Sequence, residues 1–247
     1  MENKVKAPYS LKSKRVVLLG GSSGIGLATA KAAAAEGAQV VIVSGNQQKI
    51  DKALTELPSG SEGYAINLGS EDNIKNFFST LGKFDHLVYT AAENLNLKVI
   101  GETDIEQARK FFNLRYWGAL TAIKYASPLI NAGGSISLTS GTAGTRPGSG
   151  WALASSICGA IEGLVRAMAV ELAPIRVNSV VPGVIQTGLW DSMSDTDREN
   201  FYKTMEDMLL LKRVGQAEDV ALAFVYLMKQ QFGTGQNIMI DGGTVLV

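Results

Sequence analysis

This sequence predicts one doubly wound α/β domain, a seven-stranded parallel sheet with helices on both faces, and three observations carry the prediction. Short β-branched runs at residues 16–19, 40–43, 64–66, 86–90, 135–139, 176–181 and 237–240 alternate with helical patterns from end to end. Such alternation is the signature of parallel strands joined by crossover helices. The first run stops at a glycine-rich turn, and an Ala-rich helical pattern starts at once. The chain has 247 residues without a low-complexity linker or long repeat, a size that α/β folds reach as a single domain.

The opening stretch, Val16-Val17-Leu18-Leu19-Gly20-Gly21-Ser22-Ser23-Gly24-Ile25-Gly26-Leu27, reads as strand, tight turn and helix. Its glycines admit backbone angles and close approaches that a Cβ forbids. The unpaired N–H groups at the start of the following helix face an anion, for which a pyrophosphate is the natural occupant. The run of small residues at 28–35 is read as a helix packed tightly against the sheet. Residues 1–12 are read as a loose N-terminal tail or short interface arm, and 13–247 as the single domain.

Bulk properties exclude several classes. Lys and Arg total 23 and Asp and Glu total 23, so no net field favours nucleic acid or an anionic membrane. The single cysteine, Cys158, rules out an intrachain disulfide and suits a reducing, cytoplasmic setting. The Lys-rich N-terminus lacks the apolar region of a secretory signal, and no uninterrupted apolar stretch is long enough to span a membrane.

The spacing Gly20-x-x-x-Gly24-x-Gly26 resembles that of the short-chain dehydrogenase/reductase family, whose usual form is T-G-x-x-x-G-I-G; Leu19 stands at the Thr position. A second match is Val177-Asn178-Ser179-Val180-Val181-Pro182-Gly183-Val184-Ile185-Gln186-Thr187 against V-N-x-V-x-P-G-x-x-x-T. Lys212-Arg213-Val214-Gly215, the helix start Ala217-Glu218-Asp219, and the closing Gly233 to Gly243 segment extend the resemblance across nearly the whole chain. It implies a Rossmann-type fold, a nicotinamide dinucleotide, and hydride transfer to or from a small carbonyl or alcohol substrate. It further implies a homotetramer or homodimer, with the strand 237–240 and the helix 151–173 as contact surfaces, and a substrate lid over 188–211.

The cofactor residues implied by the resemblance are Gly20, Ser22, Ser23, Gly24, Ile25, Gly26, Ser44, Asn46, Asn67, Leu68, Ala91, Ala92, Pro182, Gly183, Ile185 and Thr187. Dinucleotide folds that select NAD(H) carry an acidic residue at the end of the second strand, which repels a 2′-phosphate. Ser44 stands there instead, so NADP(H) is expected ahead of NAD(H), although Gly45 replaces the family's frequent phosphate-binding Arg; Lys49 is a further donor. Asn67 has two readings, an acceptor for the adenine amino group and a turn former before Gly69. Tyr89-Thr90-Ala91-Ala92 replaces the family's N-N-A-G and keeps only its small residues. Glu93 just beyond either faces substrate or is a solvated loop carboxylate. His86, the sole histidine, is expected at the surface beside Asp85.

The chemistry is where the sequence departs from the pattern. The family's acid is a Tyr, with a Lys one helical turn later to lower its pKa and a Ser thirteen residues earlier to place the carbonyl. Anchored on Ala143-Gly144 and on Gly159-Ala160-Ile161-Glu162-Gly163-Leu164, those positions hold Gly141, Ala154 and Cys158. Ser140, one place away, and Asn113, which matches an Asn that holds a proton-relay water in the family, are the expected catalytic residues; Ser155 is a further hydroxyl. Two function classes therefore stand: a reductase with an altered proton-donor site, and a catalytically silent NADP(H)-binding sensor or structural subunit. Steady turnover under saturating cofactor separates them.

Overall fold

A computed structural model of the chain describes residues 9–95 and 97–247. Its main sheet contains seven parallel strands: β1 (Arg15–Leu19), β2 (Gln39–Ser44), β3 (Glu62–Ala65), β4 (Phe84–Tyr89), β5 (Ile130–Thr139), β6 (Arg176–Pro182) and β9 (Asn237–Ile240). The two remaining strands, β7 (Ile185–Gln186) and β8 (Gly215–Gln216), form a small separate bridge. Strand order in the main sheet is β3-β2-β1-β4-β5-β6-β9, so the winding direction reverses between β1 and β4. Crevices at such a reversal, beyond the carboxyl ends of the strands, are where open α/β sheets bind ligands.

The helices explain why the strands read as continuous apolar runs. Along β1, Val16 and Leu18 point to one face and Val17 and Leu19 to the other, and all four are fully buried. One face is covered by α1 (Gly24–Ala35), α2 (Gln47–Leu54) and α8 (Ala217–Lys229), whose Ala30, Ala33, Ile50, Val220 and Phe224 meet Val16, Leu18, Val40 and Ile42. The other is covered by α3 (Glu71–Leu81), α5 (Ala119–Ala126) and α6 (Ala152–Glu171), with Ile74, Phe77, Ile123, Ile157 and Ile161 on Val17, Leu19, Leu87 and Leu138. Burial on both faces leaves no polar side for alternation to mark. The alanines of α1 let it approach α8 closely, with Ala28 against Ala217 and Ala221. Two further helices, α4 (Ile105–Phe112) and α7 (Asp195–Met208), lie at the carboxyl end of the sheet's second half.

Three expectations need correction. Leu11, read as the end of a loose tail, is 1% exposed and packs into the core, because its apolar side chain closes the edge formed by α1 and β2; residues 1–8 lie outside the described residues. β5 begins at Ile130, five positions before the β-branched run, with a register irregularity opposite Phe84 and His86. α6 is long and apolar enough to cross a membrane by length and composition, although Glu162 and Arg166 interrupt it. It lies on β5 and β6, where its Ile157, Ile161, Leu164 and Val165 are buried.

His86 is a fourth correction: it is buried, not superficial, and its Nδ1 lies 2.9 Å from the Ser135 hydroxyl. Burial first, then the Arg176 charge, brings its pKa down from 6.5 to about 4 against the opposing pull of Asp85. The unfolded chain therefore binds the extra proton first as pH falls, so the contribution of neutral His86 is complete above the unfolded value and is lost toward pH 4. That gap corresponds to about 3 kcal/mol. Urea unfolding at about pH 7 and about pH 4 should show this loss in the native chain and a smaller one in His86→Gln. Equal losses would show that the ring titrates normally.

Candidate active site

A cleft of about 820 Å³ opens over the carboxyl ends of β1, β4, β5 and β6. The Gly20 turn forms its floor at one end. Gly20 has φ +96°, and a Cβ there would come within 2.5 Å of the Ala91 nitrogen. A Cβ on Gly26 would lie 2.1 Å from the Gly20 oxygen, so only glycine lets α1 start this close to β1. Ser23, at the N-cap of α1, makes no side-chain capping bond, which leaves the first N–H groups of the helix directed at the cleft. A cradle that a methyl group would fill, and an uncapped helix start above it, fit the phosphates of a dinucleotide.

Of the residues predicted to hold the cofactor, all but Asn46 line this cleft, including Ser22, Ser23, Gly24, Ile25, Leu68, Ala91, Ala92, Pro182, Gly183, Ile185 and Thr187. Asn46 is instead the N-cap of α2, its side chain accepting from the Lys49 nitrogen at 3.0 Å. A side chain so engaged serves the helix, and Lys49, one turn in, lines the cleft beside Ser44 and Gly45. Asn67 forms the turn that was one of its two readings, accepting from the Gly69 nitrogen at 2.9 Å, and it also lines the cleft.

At the other end of the cleft lie Ser140, Gly141, Thr142, Trp151, Ala154 and Cys158, with Trp190 and Asp191 beyond. Ala154 and Cys158 sit one turn apart on the inward face of α6, and a Cβ on Gly141 would lie 3.3 Å from the Cys158 sulfur. The three positions aligned with the family's Ser, Tyr and Lys thus converge, but carry no acid. Ser140 lines the cleft with its hydroxyl turned to the Glu162 carboxylate at 3.1 Å and the Cys158 carbonyl at 3.3 Å. Burial pushes the Cys158 thiol up, so it is not a ready thiolate. Asn113 does not reach the cleft: it is exposed, and its amide donates to the Gly69 carbonyl at 3.2 Å. A π-helical stretch, Asn113–Gly118, starts at this residue, and its wide turn breaks the 3.6-residue phase on which sequence spacing relies.

The same stretch brings in a residue that motif spacing did not single out. Arg115 lines the cleft, with its side chain 17% exposed and its guanidinium carbon 4.8 Å from the centroid of the Phe111 ring. Its Nη2 donates to the Glu93 carbonyl oxygen, and its Nε is 3.5 Å from the Glu93 carboxylate. At that distance the pair is ionic without a hydrogen bond, and both the Arg115 Nε and the Glu93 Oε2 are buried without a hydrogen-bond partner. Burial raises the pKa of Glu93 and lowers that of Arg115, each charge partly offsetting the effect on the other. Glu93 is accordingly tied to Arg115, with its side chain partly exposed. The signal in the sequence was a cation set among Phe111, Phe112, Tyr116 and Trp117.

This architecture, with a glycine cradle at the strand-order reversal and a reaction end against α6, is that of a dinucleotide-binding oxidoreductase. A family model described as enoyl-(acyl carrier protein) reductase matches residues 20–245. A short-chain dehydrogenase/reductase of Gibberella fujikuroi is 31% identical over 254 aligned residues, covering 96% of this chain and 96% of its own. One from Stachybotrys chlorohalonatus is 32% identical, covering 96% and 99%. Among solved structures, the MalC reductase/Diels-Alderase of Malbranchea aurantiaca aligns with a TM-score of 0.90 at 30% identity, covering 98% of this chain and 100% of that one. A small-chain dehydrogenase in complex with NADPH aligns with a TM-score of 0.86 at 31% identity, covering 96% and 100%. The chain belongs to the short-chain dehydrogenase/reductase family, oxidoreductases acting on CH–OH and C=O groups with a nicotinamide cofactor.

Proposed function

We propose that this protein is an NADP(H)-dependent reductase of a small carbonyl compound, working with an altered proton-donor site. The observation that carries the cofactor choice is the ribose end of the cleft, where Ser44 and Lys49 stand and, among the described residues, no carboxylate does. An ammonium there favours a 2′-phosphate, and no fixed negative charge repels it. When bound, the reduced dinucleotide supplies hydride. The chain's own part is to seat the pyrophosphate on the start of α1, to place the nicotinamide end near Ile185 and Thr187, and to enclose substrate between Trp151, Trp190 and α6.

A fluorescence titration with NADPH and NADH, followed by a carbonyl panel on the same sample, tests this. NADPH should bind with micromolar or better affinity and ahead of NADH. Lys49→Ala should weaken NADPH by about tenfold, the scale of one charge-assisted contact, and leave NADH unchanged. Tighter NADH binding in the native chain would reverse the cofactor choice.

The convergence of Gly141, Ala154 and Cys158 favours a second reading, a silent NADP(H)-binding sensor or structural subunit. No turnover on any panel member at saturating NADPH would select it. Under either reading we propose a homo-oligomer. β9 is a sheet edge, and Leu222, Tyr226, Phe232 and Met239 beside it are exposed. Val170 on α6 is exposed as well. Such apolar surface is typical of subunit contacts. Sedimentation showing only a 26.2 kDa species at micromolar concentration would refute the oligomer.

A further inference from the structure

The reaction end of the cleft holds a permanent cation and no phenol in the family's place. Arg115 stays charged at any working pH, since a guanidinium is not deprotonated in proteins. Among the described residues its five N–H donors are mostly unspent: Nη2 donates to the Glu93 carbonyl, and Nε is buried without a hydrogen-bond partner. The Glu93 carboxylate at 3.5 Å and the Phe111 ring at 4.8 Å flank the guanidinium. Cys158, which occupies the family's Lys position, is close enough for the Arg115 charge to act on its thiol. Two hydroxyls on this side are committed elsewhere. Tyr89 donates to the Leu114 carbonyl at 2.6 Å, and Ser140 to Glu162. The group thus supports a negatively charged oxygen and cannot hand over a proton.

We propose that Arg115, clamped by Glu93, is the substrate-holding residue of this site, and that its substrate is a carbonyl compound conjugated to a C=C bond. This rests on the reading above that the cleft reduces a carbonyl compound with NADPH. The reason is charge bookkeeping of the reaction itself. Reduction of an isolated ketone leaves an alkoxide, which needs a proton at oxygen in the same event. In a conjugated carbonyl, hydride from the reduced dinucleotide bonds to the β-carbon. The C=C π pair becomes the new C=C bond of an enolate, and the C=O π pair moves onto oxygen. The guanidinium holds that oxygen. The α-carbon then takes a proton from water, the enolate collapses to the saturated carbonyl, and the dinucleotide leaves oxidised. No protein-borne acid is needed at the oxygen, in accord with Gly141, Ala154 and Cys158. A fixed cation at a developing oxyanion is the arrangement that lowers such a barrier most.

The test has a readout apart from turnover. 4-Nitrophenol imitates an enolate, and its absorbance reports whether it is bound as phenol or phenolate. Titrated against the native protein, its apparent pKa should fall by about one to three units, the effect of one adjacent opposite charge. The shift should vanish in Arg115→Met and in the charge-neutral double variant Glu93→Gln/Arg115→Gln, and persist in part in Arg115→Lys. With NADPH, cyclohex-2-enone should be reduced at C=C and cyclohexanone should not, and Arg115→Met should lower the enone kcat by about 100-fold or more. The double variant keeps an amide in place of each charge and guards against a misfolded single variant. A native protein that does not take up the phenolate, or a shift that survives both charge-removing variants, overturns the proposal. So does equal reduction of the saturated ketone. An NADPH titration on each sample separates the failures: no binding to the native chain refutes the reductase reading, whereas normal binding with an unchanged probe profile refutes only the role of Arg115.

Discussion

Gly24→Asp should abolish dinucleotide binding and leave the chain folded. The position has φ +50°, a region that Asp tolerates better than most residues, and the nearest atoms to an added Cβ are the Thr187 Cβ and Cγ2 at 3.4 Å, ordinary contact. As the first residue of α1, an aspartate there also complements the helix dipole, which helps the fold. The same carboxylate occupies the point at which unpaired N–H groups face the cleft, and it repels a pyrophosphate. NADPH affinity should fall by about 100-fold or more, close to 3 kcal/mol, with the melting temperature near that of the native chain. Calorimetry and a thermal scan on one preparation check both halves. Native-like NADPH affinity would show that the glycine turn does not seat the phosphates.

Restoring the family's acid should produce the largest gain. Gly141→Ser, Ala154→Tyr and Cys158→Lys together should raise turnover on a generic activated ketone by about 10²–10⁴-fold, the usual contribution of a placed general acid. The structure supports the combination over its parts. Gly141 has an extended backbone that any residue adopts, and a Cβ there meets the Cys158 sulfur at 3.3 Å, so the side chain at 158 gives by a few tenths of an ångström to admit it. Ala154 and Cys158 both line the cleft from adjacent turns of α6, so a phenol and an ammonium placed there face the same space. Single substitutions should do little, because the ammonium acts through the phenol. Arg115 lies near enough to the new lysine to lower its pKa. The combination with Arg115→Met therefore tells whether the two cations compete. A folded, NADPH-binding triple variant with unchanged turnover would show that these three positions are not the family's catalytic set.

Much of this molecule was written in its local sequence. The seven strands and their parallel pairing follow from β-branched runs spaced by helical patterns, since each run is long enough for one strand and too short for anything else. The glycine turn was legible because backbone that approaches backbone within 2.1 Å of a missing Cβ leaves no other residue type to choose. The pair Ala154 and Cys158 was equally plain as neighbours on one face of α6, because a spacing of one helical turn can be read along the chain.

Tertiary structure decided what local pattern does not encode. His86 and Asp85 adjoin in sequence, yet only the pairing of β4 with β5 shows the ring buried against Ser135 and neutral. Asn46 and Asn67 sit at strand ends where either a cofactor or the backbone takes the side chain. The backbone took Asn46 outright as a helix cap. The Asn113 amide, at the start of a π-helical stretch, was taken by the Gly69 carbonyl. Arg115 and Glu93 stand 22 residues apart, on a helix and a loop, and neither carries a motif. Their meeting at the wall of the cleft depends on long-range packing, because electrostatics acts through distance in space and not along the chain.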